Sequence, residues 1–184
     1  MVTIEGVLSV LKSNFFDPTK HEATVIPDKP GNYLFCLRIN SQLPSLPTIE
    51  IPQLTQFEGY QVIYTGISKK SLRGRDYKKH FAGNNAGRST LRKSLGVLLG
   101  YKQIPRDKDP ATGKTKFNDE DEAKLSLWMK TNLVMFYYPN LEPAELEGQL
   151  IQFFNPPLNL QNNYQSVNSI FRRQLSALRG SGKE

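Results

Sequence analysis

The chain has 184 residues, 38% hydrophobic and 22% charged, which suits a single soluble domain with a real core. Its only cysteine is Cys36, which excludes an internal disulfide and a cysteine-built zinc site and makes a reducing cytoplasm the expected compartment. Net charge is +7, no basic-then-apolar leader is visible, and no run approaches the ~18 apolar residues of a membrane span.

Residues 2–16 place Val7, Val10, Leu11 and Phe15 at helical spacing and predict a short amphipathic helix, ended by Asp17-Pro18. Residues 27–31 form a turn. Asn32 to Ile39 predicts the first strand, with Tyr33, Phe35 and Leu37 on one face. Residues 40–59 hold three prolines and predict an irregular excursion with a short edge strand near Ile49–Ile51. Residues 61–67 are apolar, β-branched and aromatic up to Gly66, and predict a central strand antiparallel to the first. That strand delivers a basic helix from Ser71 to Phe81, followed by the Gly- and Asn-rich loop 83–87 and a second helix from Ser89 to Leu99. Residues 102–117 predict a solvent loop, punctuated by Pro105, Asp109-Pro110 and Thr112-Gly113. Asn118 caps a helix reaching Asn132, whose acidic first turn suits the positive end of the helix dipole. Leu133–Tyr138 is a third strand, 143–154 a last core helix, and the tail one more short helix. The expected fold is α/β (α+β): a small, mainly antiparallel three-stranded sheet flanked by helices. Its expected divisions are an N-terminal helical extension (1–26), a main domain (27–163) and a C-terminal helical tail (164–184).

Charge is unevenly spread. Residues 69–106 hold eleven Lys or Arg against Asp76 alone, a local net of +10, so the rest of the chain sums to −3. Such a block suits a polyanion, because each neutralised phosphate releases counterions; a solvated basic face is the plainer alternative. Glu147 shares a helix face with Leu150, Ile151 and Phe154. A carboxylate on an apolar stripe is costly unless it is paired or binds a cation, so a buried ion pair and a metal ligand are both open. Arg73 and Arg75, two apart, point to different faces, and at least one turns toward the sheet. Tyr33 and Tyr64 lie on adjacent strands near Gly31 and Gly66. A phenol with a reference pKa of ~10 acts as a base at neutral pH only where cations help.

In order, Gly31-Asn32-Tyr33, Tyr64-Thr65-Gly66, Leu72 with Arg75, and Glu147-x-x-Leu150-Ile151 closing in Asn155-Pro156-Pro157-Leu158-Asn159 resemble the GIY-YIG nuclease family over residues 29–163. The resemblance implies a metal-dependent phosphodiesterase acting on DNA and leaving 5′-phosphate and 3′-hydroxyl ends. It implies that Glu147 holds one Mg²⁺ or Mn²⁺, the kind of site magnesium prefers when waters and phosphate oxygens complete the shell. Arg75 would grip the phosphate and offset developing charge, Tyr33 would activate the attacking water, and Tyr64 would position the phosphate or a water. His80 would assist proton transfer or hold the tyrosine. Asn159 would fix the structure beside Glu147 and join the substrate-binding set of Lys69, Lys70, Arg73, Lys79, Arg88, Arg92 and Lys93.

Three features depart from the family pattern. Asn32 and Thr65 are polar where the family often has apolar residues, at positions facing away from the tyrosines. The connection from Tyr33 to Tyr64 is longer than usual, as a DNA-contacting hairpin or regulatory flap would be. Family members commonly place a His or Tyr four positions after the arginine; here Lys79 stands there and His80 follows. Either the helix contains a bulge, or the pairing differs with Arg73 as the reserve arginine, or His80 lies outside the catalytic set. The expected partner is double-stranded DNA, including branched or damaged duplexes, in restriction or repair, with no membrane partner; a homodimer would cut both strands. The alternative is a catalytically inactive nucleic-acid-binding module on the same scaffold, and a third reading is a basic interaction domain. Metal-dependent cleavage, salt-sensitive binding without cleavage, or neither separates the three.

Overall fold

The computed structural model describes residues 3–83 and 86–180. Helix α1 (Ile4–Ser13) begins where the Thr3 hydroxyl accepts a hydrogen bond from the Gly6 N–H, and it turns Val7 and Leu11 inward. Strands β1 (Phe15–Phe16), β2 (Gly31–Leu37), β3 (Gln56–Phe57), β4 (Tyr60–Ser68) and β7 (Leu133–Pro139) form one antiparallel sheet in the order β1-β7-β2-β4-β3. The sheet therefore has five strands, not the three expected. The two additions are only two residues long, too short for any alternation to be read from sequence. The edge strand of the 40–59 excursion is Gln56–Phe57, and residues 49–51 are not a strand. The 102–117 stretch is likewise not all loop: β5 (Ile104–Pro105) and β6 (Thr115–Lys116) pair as a small hairpin, with Pro105 tolerated at its edge.

Both faces of the sheet are covered, which is why all seven residues of β2 are buried. Tyr33, Phe35, Leu37, Leu133, Met135 and Tyr137 share a core with α2 (Thr90–Leu98), α3 (Asp119–Asn132), α5 (Ser169–Gly180) and the helical segment Arg73–Phe81. Leu34, Cys36, Val62, Val134 and Phe136 pack on the opposite side against α1 and α4 (Pro143–Phe154). Burial pushes the Cys36 thiol well above its ordinary range, so it is an inert core side chain. No described helix is long and apolar enough to cross a membrane.

Two irregularities shape the site. Phe35 pairs with Tyr64 and Cys36 with Val62, leaving Ile63 as an extra residue in β4. This bulge lets the consecutive Ile63 and Tyr64 both join the same core cluster. The second lies in the basic segment, where an α-helix is expected. Residues Arg73–Phe81 instead wind as a π-helix, continued at its end by the Ala82 N–H donating to the Tyr77 carbonyl (2.8 Å).

Candidate active site

The two glycines beside the tyrosines are required by close approach. A Cβ on Gly66 would lie 2.5 Å from the Tyr33 hydroxyl oxygen and 2.6 Å from its ring, so the Tyr33 side chain rests directly on the β4 backbone. A Cβ on Gly31 would clash with the Tyr138 carbonyl oxygen. These contacts fix β2 and β4 so that the Tyr33 and Tyr64 rings stand 6.3 Å apart between centroids.

The wider turn of the π-helix supplies the histidine. His80 Nε2 is 3.2 Å from the Tyr33 hydroxyl, and His80 Nδ1 is 3.0 Å from Ser89 Oγ. Ser89 caps α2, its hydroxyl oxygen accepting from the Arg92 N–H (3.2 Å). All three side chains are buried, forming a Tyr33–His80–Ser89 chain that can hold a proton at either imidazole nitrogen.

The other wall is α4, and polar side chains on the strands locate it. Asn32 donates from its amide to the Pro143 carbonyl (2.8 Å), at the first turn of α4. The Asn159 side chain spans Thr65, accepting from its N–H (2.9 Å) and donating to its carbonyl (2.8 Å), while the Leu158 N–H donates to Ile63 (3.1 Å). The segment after α4 thus seals the β4 edge beside the bulge. Asn32 and Thr65, the polar departures, do face away from the tyrosines and serve as anchors.

Between these walls is a cleft of about 440 Å³ whose lining includes Tyr64, Glu147, Ile151, Asn159, Lys93 and Arg179. On α4, Leu146, Leu150 and Phe154 form the core stripe, while Glu147 sits half-buried at its margin. Burial pushes the Glu147 carboxyl above its ordinary range, opposed by the positive charges of Arg75 and Lys69. Glu147 makes no direct ion pair among the described residues. No cluster of three His, Cys, Asp or Glu ligands exists among the described residues. One desolvated carboxylate open to a polar cleft fits a magnesium-type ion, which keeps several waters and takes its other ligands from phosphate. A site built wholly from protein ligands is not present among those residues.

The sequence-predicted residues divide clearly. Tyr64, Glu147, Asn159 and Lys93 meet in the cleft, with Arg75 and Lys69 close enough to act on Glu147. Tyr33 and His80 lie behind the cleft wall, at 0% and 1% exposure. Arg73 turns away, donating to the carbonyls of Ile26 (2.8 Å) and Thr24 (3.3 Å). Arg92, assigned to the substrate by charge, is fully buried and faces Glu122 (2.7 Å), and it also donates to the His80 carbonyl (2.6 Å). It ties the end of the π-helix to α2 and α3 and has no surface to offer DNA. Lys70 and Arg88 are exposed, and the Lys79 side chain lies outside the described residues. Sequence reasoning missed Ser89 and Arg179. Ser89 carries a visible signal, an N-cap serine opening a helical run; Arg179 carries one in its spacing from Phe171 and Leu175.

The sequence model of the GIY-YIG catalytic domain matches residues 31–181, from the start of β2 through the end of α5. No curated protein and no solved structure matches the chain.

Proposed function

The chain belongs to the GIY-YIG catalytic domain family, whose members are nuclease-type hydrolases, and from that premise we propose that it is a metal-dependent endonuclease of double-stranded DNA. The observation that carries this reading is the Glu147 carboxylate: desolvated, without a direct ion pair among the described residues, beside Tyr64 in a polar cleft and within the fields of Arg75 and Lys69. A module that only bound DNA would gain nothing from a carboxylate among phosphates.

Glu147 would hold one Mg²⁺ or Mn²⁺, which on binding supplies positive charge to polarise the phosphate. Arg75 grips a phosphate oxygen and offsets the charge that develops in the transition state. Water attacks phosphorus, the bond to O3′ breaks, and the water oxygen remains on the 5′-phosphate while O3′ takes a proton. Tyr64, which lines the cleft, positions the water and phosphate. Tyr33, with His80 and Ser89 behind it, handles the proton that the water gives up. Lys69, Lys70, Arg88 and Lys93 follow the flanking backbone, and Asn159 holds Thr65 and so sets α4 against Tyr64.

Incubation of supercoiled plasmid with the full chain and Mg²⁺ or Mn²⁺ tests this. Nicking or linearisation that is abolished by EDTA and by Glu147→Ala, with 5′-phosphate ends, is the expected result. Salt-sensitive DNA binding with no cleavage of plasmid, branched or damaged duplexes would sink the nuclease reading and leave a binding module.

A further inference from the structure

Helix α5 packs Phe171 and Leu175 into the core, four residues apart on one face, and the next position of that stripe is Arg179. The helical period puts a cation where an apolar residue belongs. Arg179 lines the cleft with Tyr64 and Glu147, and it also lines an adjoining hollow of about 330 Å³ with Arg88, Lys93 and Lys114. Its guanidinium makes one long hydrogen bond among the described residues, to Ser94 Oγ at 3.4 Å, and pairs with no described carboxylate. Burial lowers its pKa, and Tyr64 acts in the opposite sense. A desolvated guanidinium with no described carboxylate beside it is costly, and an anion arriving in the cleft would remove that cost.

We propose that Arg179 binds a backbone phosphate of the nucleic-acid substrate next to the scissile one, so that α5 is a wall of the site and not a tail. The proposal rests on the nuclease reading for the class of substrate. The planar fork of arginine suits two phosphate oxygens, and Lys93 lines both the cleft and the adjoining hollow, where Arg88 joins it.

The test is binding of a fluorescent DNA duplex by the full chain in EDTA, titrated across salt, for wild type, Arg179→Ala and Arg179→Lys, with thermal unfolding as the folding check. Arg179→Ala should bind roughly tenfold or more weakly and lower the log–log salt slope by about one, whereas Arg179→Lys should keep the slope and lose part of the affinity. Unchanged affinity and slope in folded Arg179→Ala overturns the proposal; if that variant does not fold, the same outcome in Arg179→Gln overturns it. Wild type that binds but never cleaves defeats the nuclease reading alone. Wild type that cleaves, with Arg179→Ala unaltered in binding, defeats this proposal alone.

Discussion

Glu147 shows how a functional side chain opposes the fold that carries it. Its pKa is raised by burial, so between the ordinary glutamate value of about 4.5 and the raised folded value the native state holds the proton more tightly than the unfolded chain. Stability is therefore greatest with the carboxyl protonated and is lost as pH rises through that window, the reverse of a salt-bridged acid. Glu147→Gln should accordingly raise the thermal midpoint at pH 7.5, with no gain at pH 4. Mg²⁺ should raise the midpoint of wild type and leave the variant unmoved. A variant less stable than wild type at pH 7.5 would contradict the desolvation account. Glu147 was legible because a carboxylate on the face of Leu150, Ile151 and Phe154 breaks the 3.6-residue pattern of an otherwise apolar stripe. Arg92 was not legible: its partner Glu122 lies 30 residues away, and nothing local distinguishes a buried guanidinium from a solvated one.

At the scale of elements, the π-helix explains the spacing that set this chain apart. On an α-helix of 3.6 residues per turn, five positions would carry His80 about 140° round from Arg75. The wider winding narrows that angle and sends the imidazole to Tyr33 and Ser89. One residue more than the common four was visible in sequence, and a bulge was one of its readings; the winding itself depends on Arg92 holding the His80 carbonyl and on Ser89 receiving the ring. Deleting Lys79 should return the segment to α winding with the histidine four positions past Arg75. That variant should keep its unfolding midpoint within about 5 °C. It should also retain cleavage within roughly tenfold of wild type, whereas His80→Ala should fold and lose about a hundredfold or more. A folded deletion variant as inactive as His80→Ala would show that the π turn is not what places the histidine. The helix capped by Asn118 was legible from its cap, and β2 and β4 from their length. Strands of two residues carry no period, so β1, β3, β5 and β6 follow from tertiary pairing alone.

For the whole molecule, the excess of basic residues between 69 and 106 divides by burial into two populations that sequence counts as one. Arg73 and Arg92 are turned inward onto carbonyls and Glu122, while Lys69 and Lys70, in the turn after β4, are exposed at the site's margin. Only the second population can release counterions on binding DNA. The double variant Lys69→Ala/Lys70→Ala should therefore lower the log–log salt slope of duplex binding by about two and weaken binding uniformly across sequences, while the chain stays folded and loses only the Lys69 charge that opposes the burial of Glu147. Arg92→Ala should do the opposite. It strands Glu122 as an uncompensated buried charge, costing about 3–5 kcal/mol of stability, while the molecules still folded bind with the wild-type slope. Equal salt slopes for wild type and the lysine double variant would mean that the basic block is a solvated face and that the DNA track lies elsewhere. A reduced slope for folded Arg92→Ala would mean that α2 opens on binding and exposes a cation the free protein keeps in its core.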